Sequence, residues 1–455
     1  MKTDSNSPMR QHHFFHWTFL AFSVCSAGAE PPVSREEAYA VLAPAAATGD
    51  KPADNPEGLE DRVVTGYQGW FRAEGDGSGL GFHHYGKRGK FEPGFCTIDL
   101  WPDLSDFDEN EKFPTPFRHA DGRVAHVFSS IHPKTVERHF QWMADYGIDG
   151  AFVQRFAVHG ARQRRNYRSL KYENEKLKLC RDAAMRNGRS WVLMYDLSGI
   201  GDSDFDRLAE DWKQLRRRMQ VGTDPNDSAY MHLEGKPLVA IWGVGFHDDR
   251  DYGLERTEWF LRLLKHNPEW GGMSLMVGVP YYWREQIRDA TDDPRLHDVL
   301  RLADVISPWS VGRYRDTETE SARIVEHQAK DLAWCRKHTI DYLPVLFPGF
   351  SWENLKGSES GGDGISRRGG RFFWDQFLAT AAAGNRSAYL AMFDEIDEGT
   401  ALFKCTNDPP VGESKFGTYG GLPSDHYLWL SGEGGRLLRG ELPRRNRSVE
   451  TRGEE

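Results

Sequence analysis

Asp394, Glu395, Asp397 and Glu398 crowd four carboxylates into five residues, directly after the apolar run 388–393. Like charges this close repel, so at least one of these groups keeps its proton at a pH where an isolated carboxyl has lost it. A protonated carboxyl beside an ionised one is what glycosidic cleavage requires. One donates a proton to the leaving oxygen, while the other serves as base or nucleophile. Glu395 and Glu398, three residues apart, project to the same side of a helix start or tight turn, so they are the candidate catalytic pair. An acidic helix N-terminus stabilised by its dipole would account for the same cluster without any chemistry. The position of the cluster in the fold decides between the two.

Eight short apolar runs, at 63–67, 148–153, 191–195, 237–242, 274–279, 304–307, 342–346 and 388–393, are rich in Val, Ile, Leu and aromatics. Apolar on both faces, they read as strands of a buried parallel sheet. Between them lie amphipathic stretches. One starts at Pro133 and puts Val136, Phe140 and Met143 on one face, and another follows Ser203 with Phe205, Leu208, Trp212, Leu215 and Met219. A third covers 320–338 with Val325, Ala329 and Leu332 inward, and further helices are expected at 169–187, 254–266, 284–302 and 371–383. Eight strand–helix units predict an α/β fold, a (β/α)8 TIM barrel spanning 61–440, since doubly wound sheets usually stop at five or six strands. Residues 72–130 form a long insertion after the first strand, expected to fold locally as a wall of the active site. Residues 30–60 read as a leader or linker, and 441–455 as a charged, disordered tail.

In such a barrel, functional groups sit where strands end at the C-terminal face. That rule selects Tyr67, Gln68 and Trp70 after the first strand, Gln154 and Arg155 after the second, and Tyr195 and Asp196 after the third. It adds Trp242, then Tyr282, then Trp309, then Trp352, with Asp394 beside the two glutamates at the eighth. His83 and His84, from the insertion, are expected to bond substrate at the rim. Aromatic and acidic, this set suits a carbohydrate substrate, because sugar rings stack on flat aromatic faces.

The net charge of −10 argues against a nucleic-acid partner, which calls for a basic patch. No cofactor and no metal is expected, because adjacent histidines cannot both ligate one ion comfortably. A metal-dependent hydrolase built on His83, His84 and Asp196 and a non-catalytic carbohydrate-binding barrel are the competing readings. Residues 1–29 have the basic start, apolar stretch and Ala27-Gly28-Ala29 end of a signal peptide, so the protein is expected to be exported without stable membrane insertion. Cys96, Cys180, Cys335 and Cys405 are too far apart for a zinc or thioredoxin motif, and whether they form disulfides stays open.

The segment FDEIDEGTALF at 393–403 resembles the Glu-Trp-x-Glu-Gly-Thr signature of glycoside hydrolase family 99, the endo-α-mannosidases, and of related family 71/99-like proteins. Glu395 and Glu398 match its two glutamates. Gly66-Tyr67-Gln68-Gly69-Trp70-Phe71 resembles the family's aromatic first-strand end, and 191–196 its third strand ending in an acidic residue. Relatives with that opening are often labelled xylosidase/arabinosidase. The resemblance implies a retaining glycosidase in which Glu395 acts as base on the substrate 2-hydroxyl, giving a 1,2-anhydro sugar, and Glu398 as acid/base. Ile396 replaces the signature Trp, and Asp394 the Asn before the first glutamate, so mannose specificity does not carry over.

Overall fold

The computed structural model describes residues 31–47, 55–357 and 364–443. The expected signal peptide and residues 444–455 of the expected tail lie outside the described residues. Strands β1 (Val63–Tyr67), β2 (Gly150–Phe156), β3 (Ser190–Asp196), β4 (Lys236–Trp242), β5 (Ser274–Pro280) and β6 (Val305–Trp309) pair in parallel, each with the next. The seventh strand, β7, consists of two pieces, Asp341–Tyr342 and Val345–Leu346, flanking Leu343 and Pro344. The first piece pairs with β6, and the second with β8 (Ala388–Leu390), which itself pairs with β1. One extended segment thus joins the two ends of the sheet and closes the barrel. Pro344 lacks an N–H, yet its carbonyl still accepts from the Tyr389 amide at 2.9 Å, so the ring is interrupted on one side only. This is the (β/α)8 barrel expected from the run spacing.

Eight helices follow the strands in turn: α1 (Pro133–Asp145), α2 (Arg168–Arg186), α3 (Phe205–Gln214), α4 (Leu254–His266), α5 (Leu296–Leu300), α6 (Thr317–Lys337), α7 (Arg371–Ala382) and α8 (His426–Leu438). Their buried faces follow the helical period. Val136, Phe140 and Met143 of α1 are buried, as are Phe205, Leu208 and Trp212 of α3. Each large apolar side chain removed from water in this way contributes roughly 1.5–3 kcal/mol.

The helix expected at 284–302 is a correction, since only Leu296–Leu300 is helical. The Asp289 carboxylate accepts the amides of Tyr281 and Tyr282, Gln286 and Arg288 take positive φ, and Pro294 disfavours helix in the residue before it. Residues 31–47 pack on the barrel. A capping box at Ser34 and Glu37 starts the helix Arg35–Ala40, and the buried Tyr39 hydroxyl donates to Asp211 at 2.6 Å.

Local structure within the insertion is built on the hairpin Phe113–Arg118/Val124–Val127 and on the packed rings of Phe91, Trp101 and Phe117, against which Phe416 packs from the segment after β8. Asp99 ties this wall to the loop after β7. Its carboxylate accepts from the Ser351 hydroxyl at 2.6 Å and from the Glu353 and Asn354 amides at 2.7 and 2.8 Å. Among the described residues no helix is long and apolar enough to cross a membrane.

Candidate active site

A cleft of 640 Å³ opens where the strands end, lined by Gln68, Trp70, His83, His84, Gln154, Asp196, Trp242, Trp309, Trp352, Glu395 and Glu398. These come from β1, the insertion, β2, β3, β4, β6, and the loops after β7 and β8. The residues selected by the strand-end rule therefore meet in one place, with five exceptions. Arg155 and Tyr195 alternate with the inward-facing Gln154 and Asp196, and the two-residue strand period turns them outward. Arg155 donates to Asp211 and Asn174, and the Tyr195 hydroxyl donates to Asp211 at 2.7 Å, all in the layer between sheet and helices. Tyr67 likewise faces outward, with its hydroxyl 3.0 Å from His139 Nδ1. Tyr282 lies outside the cleft with its hydroxyl bonded to Arg288 and Arg323.

Asp394 is the fifth exception, and it acts from beneath the cleft. Fully buried, it accepts the Gln68 and Gly69 amides at 2.8 Å each, clamping the exit of β1 to the exit of β8. Burial pushes its pKa up to about 6 against the pull of those two donors. Gly69 has φ +57°, and a Cβ there would lie 2.4 Å from Lys176 Cδ, so this position admits only glycine. Lys176 itself is buried. Its ammonium donates to the carbonyls of Gln68 and Gln154 and to Glu173 at 2.8–2.9 Å, bracing two cleft residues from behind.

Glu395 and Glu398 sit on a turn rather than a helix. The Glu395 carboxylate accepts from Gln68 Nε2 at 2.6 Å and from the Thr400 hydroxyl at 2.5 Å. Burial first, then the charges of Glu398 and Asp397, push its pKa well above the usual carboxylate range. Glu398 is only partly covered and faces the cleft. Burial and Asp397 raise it to about 7, with Lys356 pulling the other way. Asp397 is buried and raised as well, with His84 Nδ1 at 3.4 Å. Ile396, which stands where the signature has Trp, is fully buried and takes no part in the cleft wall. Gly399 has φ +63°, and a Cβ there would come within 2.7 Å of the Ser351 nitrogen, whose amide donates to the Glu398 carbonyl. The glycine of the motif thus lets two loops touch behind the acid.

Trp70 stacks on His84 at 4.1 Å and on Phe156 at 5.3 Å, and Trp242 meets Trp309 edge-on at 5.6 Å. The indole nitrogens of Trp70, Trp242 and Trp352 and the side-chain Oε1 of Gln154 are buried without protein partners. Polar groups held ready beside flat rings are what a ring carrying hydroxyls would satisfy. His83, His84 and Asp196 do not bring ligand atoms within 4.8 Å of one another. The one such group among the described residues, Glu285, His327 and Asp331, lies away from the cleft and already holds Arg284. Sequence reasoning missed Arg72, His159, Arg162, Arg164, Glu173 and Lys356, which also line the cleft. Glu173 and Lys176 carried a signal, because both lie on the face of α2 that buries Leu170 and Leu177. Cys96, Cys180, Cys335 and Cys405 are buried free thiols.

No family model matches the sequence, and no curated protein matches it. Two solved structures of a family 99 endo-α-mannosidase from Bacteroides thetaiotaomicron, one of them in complex with bis-tris-propane, do match in fold. The complex has a TM-score of 0.57 and the other 0.60; each is 15% identical over 84% of this chain and 99% of that chain. The chain therefore has a TIM-barrel fold seen in glycoside hydrolases. At this identity the likeness is one of fold.

Proposed function

We propose that this protein is an exported glycoside hydrolase of the retaining type, with Glu395 and Glu398 as its catalytic pair. The observation that carries the reading is a pair of carboxyls, both raised chiefly by burial, at the mouth of a barrel and facing an aromatic cleft. Two coupled carboxyls give up their protons in separate steps, so across an intermediate pH range the pair holds one proton. Glu395 receives two hydrogen bonds that favour its anion and Glu398 faces the cleft, so we assign the shared proton to Glu398. Glu398 then protonates the leaving oxygen. Glu395, deeper in the cleft, takes the proton of the substrate 2-hydroxyl so that this oxygen closes on the anomeric carbon. Water opens the 1,2-anhydro sugar as Glu398, now the base, takes a proton from it, and Glu395 returns its proton to the 2-oxygen. The Trp242–Trp309 pair would hold a sugar face.

Digestion of a panel of α-linked glycans, with NMR of the first-formed product anomer, tests this reading. Release of a sugar with retained configuration, abolished in Glu395→Gln and Glu398→Gln while binding persists, is the expected result. A wild-type protein that binds glycans but cleaves none would instead be a carbohydrate-binding barrel. Inverted product would refute the proposed intermediate.

A further inference from the structure

One side of the cleft is basic. Arg162 and Arg164 follow the short helix Ala157–Ala161 after β2, and Ser169 stands at the start of α2. Because β1 lies between β8 and β2 in the sheet, this wall is two strands around the mouth from the catalytic pair. Among the described residues Arg164 has no carboxylate partner. Its amide donates to the Tyr167 hydroxyl, Nη2 donates to the Val158 carbonyl at 3.3 Å, and Nε is buried with no partner. Burial presses against its charge first, and the charge of Arg162 adds to that. Arg162 has only a long contact of 3.6 Å to Asp204. The acid on this side, Glu173, is held by Lys176 at 2.8 Å. His159 lies beside Arg164 with Nδ1 buried and unpartnered, and burial keeps its ring neutral, with a pKa of about 3.

A neutral glycan seated here would replace the water around Arg164 with hydroxyl acceptors but supply no countercharge, an incomplete exchange for a guanidinium. An anionic oxygen pair would match the guanidinium fork and accept from the serine hydroxyl and the imidazole. Resting on the reading that the cleft binds a glycan, we propose that it recognises an anionic substituent on the sugar chain, a carboxylate or a sulfate ester. Arg164, assisted by Arg162, His159 and Ser169, is its anchor.

The test is calorimetric binding to the catalytically silent Glu398→Gln protein, using neutral, glucuronate-bearing and O-sulfated oligosaccharides of equal length. Uronate methyl esters serve as the charge-free control. An anionic set should bind on the order of tenfold to a hundredfold more tightly than its neutral counterpart, and lose that margin in high salt. Adding Arg164→Met should erase the margin while leaving neutral binding equal or tighter, and Arg164→Lys should recover part of the margin. Retained neutral binding shows that the variant is folded. A preference for the uronate or the sulfate set identifies the group. Neutral glycans bound as tightly as anionic ones, or a margin that survives Arg164→Met, would overturn the inference and leave the glycosidase reading standing. A protein that binds no glycan overturns both.

Discussion

Replacing Thr400 by Val removes one hydroxyl and little volume, and it acts on a single bond. The Thr400 hydroxyl has one proton and two acceptors in reach, the Glu395 carboxylate at 2.5 Å and the Glu395 carbonyl at 3.4 Å. The shorter contact takes it. A hydrogen bond to a charged group is worth about 1.5–3 kcal/mol, and one pKa unit corresponds to about 1.4 kcal/mol, so the change is about one to two units. Its sign depends on who donates. If Thr400 donates to a carboxylate, losing it disfavours the anion, and the Glu395 pKa rises. If Glu395 is instead the protonated partner, losing the acceptor disfavours the acid, and the pKa falls. The carbon-13 shift of the Glu395 carboxyl, followed against pH in a Glu398→Gln background that removes the coupling, reads this directly. The acidic limb of kcat/KM in the otherwise native enzyme should move up by the same amount, and Thr400→Ser should restore it. A downward shift would refute the assignment of Glu395 as base, and no shift would remove Thr400 from the argument.

Glu398→Gln should stabilise the fold at alkaline pH. The folded protein binds the Glu398 proton more tightly than the unfolded chain, so the wild type loses stability as pH rises from about 4.5 to about 7. The variant does not titrate, and its advantage should open across that window to a few kcal/mol; equal melting differences at pH 4.5 and pH 8 would contradict this. Lys176→Met strands Glu173 as a buried unpaired charge and should cost about 3–5 kcal/mol in urea unfolding, with Glu173→Gln in the same chain recovering much of it. Gly69→Ala should lower the melting temperature more than Gly58→Ala does. Both positions have positive φ, but only the Gly69 Cβ would strike a neighbour.

Most strands could be read from the sequence because each apolar run is local, continuous and bounded by a change of period. β1 begins and ends where the run 63–67 does, and β3, β4 and β5 extend their runs by one or two residues. What escaped the reading was decided by side chains that compete with backbone pairing. Asp289, inside the helix expected at 284–302, is held back against the Tyr281 and Tyr282 amides, and Pro344 leaves the seventh strand in two pieces. Both are visible as residues, but their effect depends on what they find in space.

The site divides along the same line. The end of a strand selects a pair of adjacent residues, and only the parity of the strand says which of the pair sees the cleft. Gln154 and Asp196 point in, so Arg155 and Tyr195 must point out, toward a partner at Asp211 on a helix 56 and 16 residues further on. An arginine beside a barrel mouth invites a substrate-binding role. Its ion pair with a fully buried Asp211 makes Arg155 part of the scaffold instead. Asp394 shows the converse. Its acidity fits it for chemistry, yet its two oxygens are spent on amides 326 and 325 residues earlier, which fixes where Gln68 stands and so which hydrogen bond Glu395 receives. The motif therefore works as a graded set: Asp394 aligns the strands, Asp397 lies buried beside His84 and raises its neighbours, and the two glutamates face what enters. That grading follows from burial and from partners far away in the chain, which four acidic letters in five positions cannot disclose.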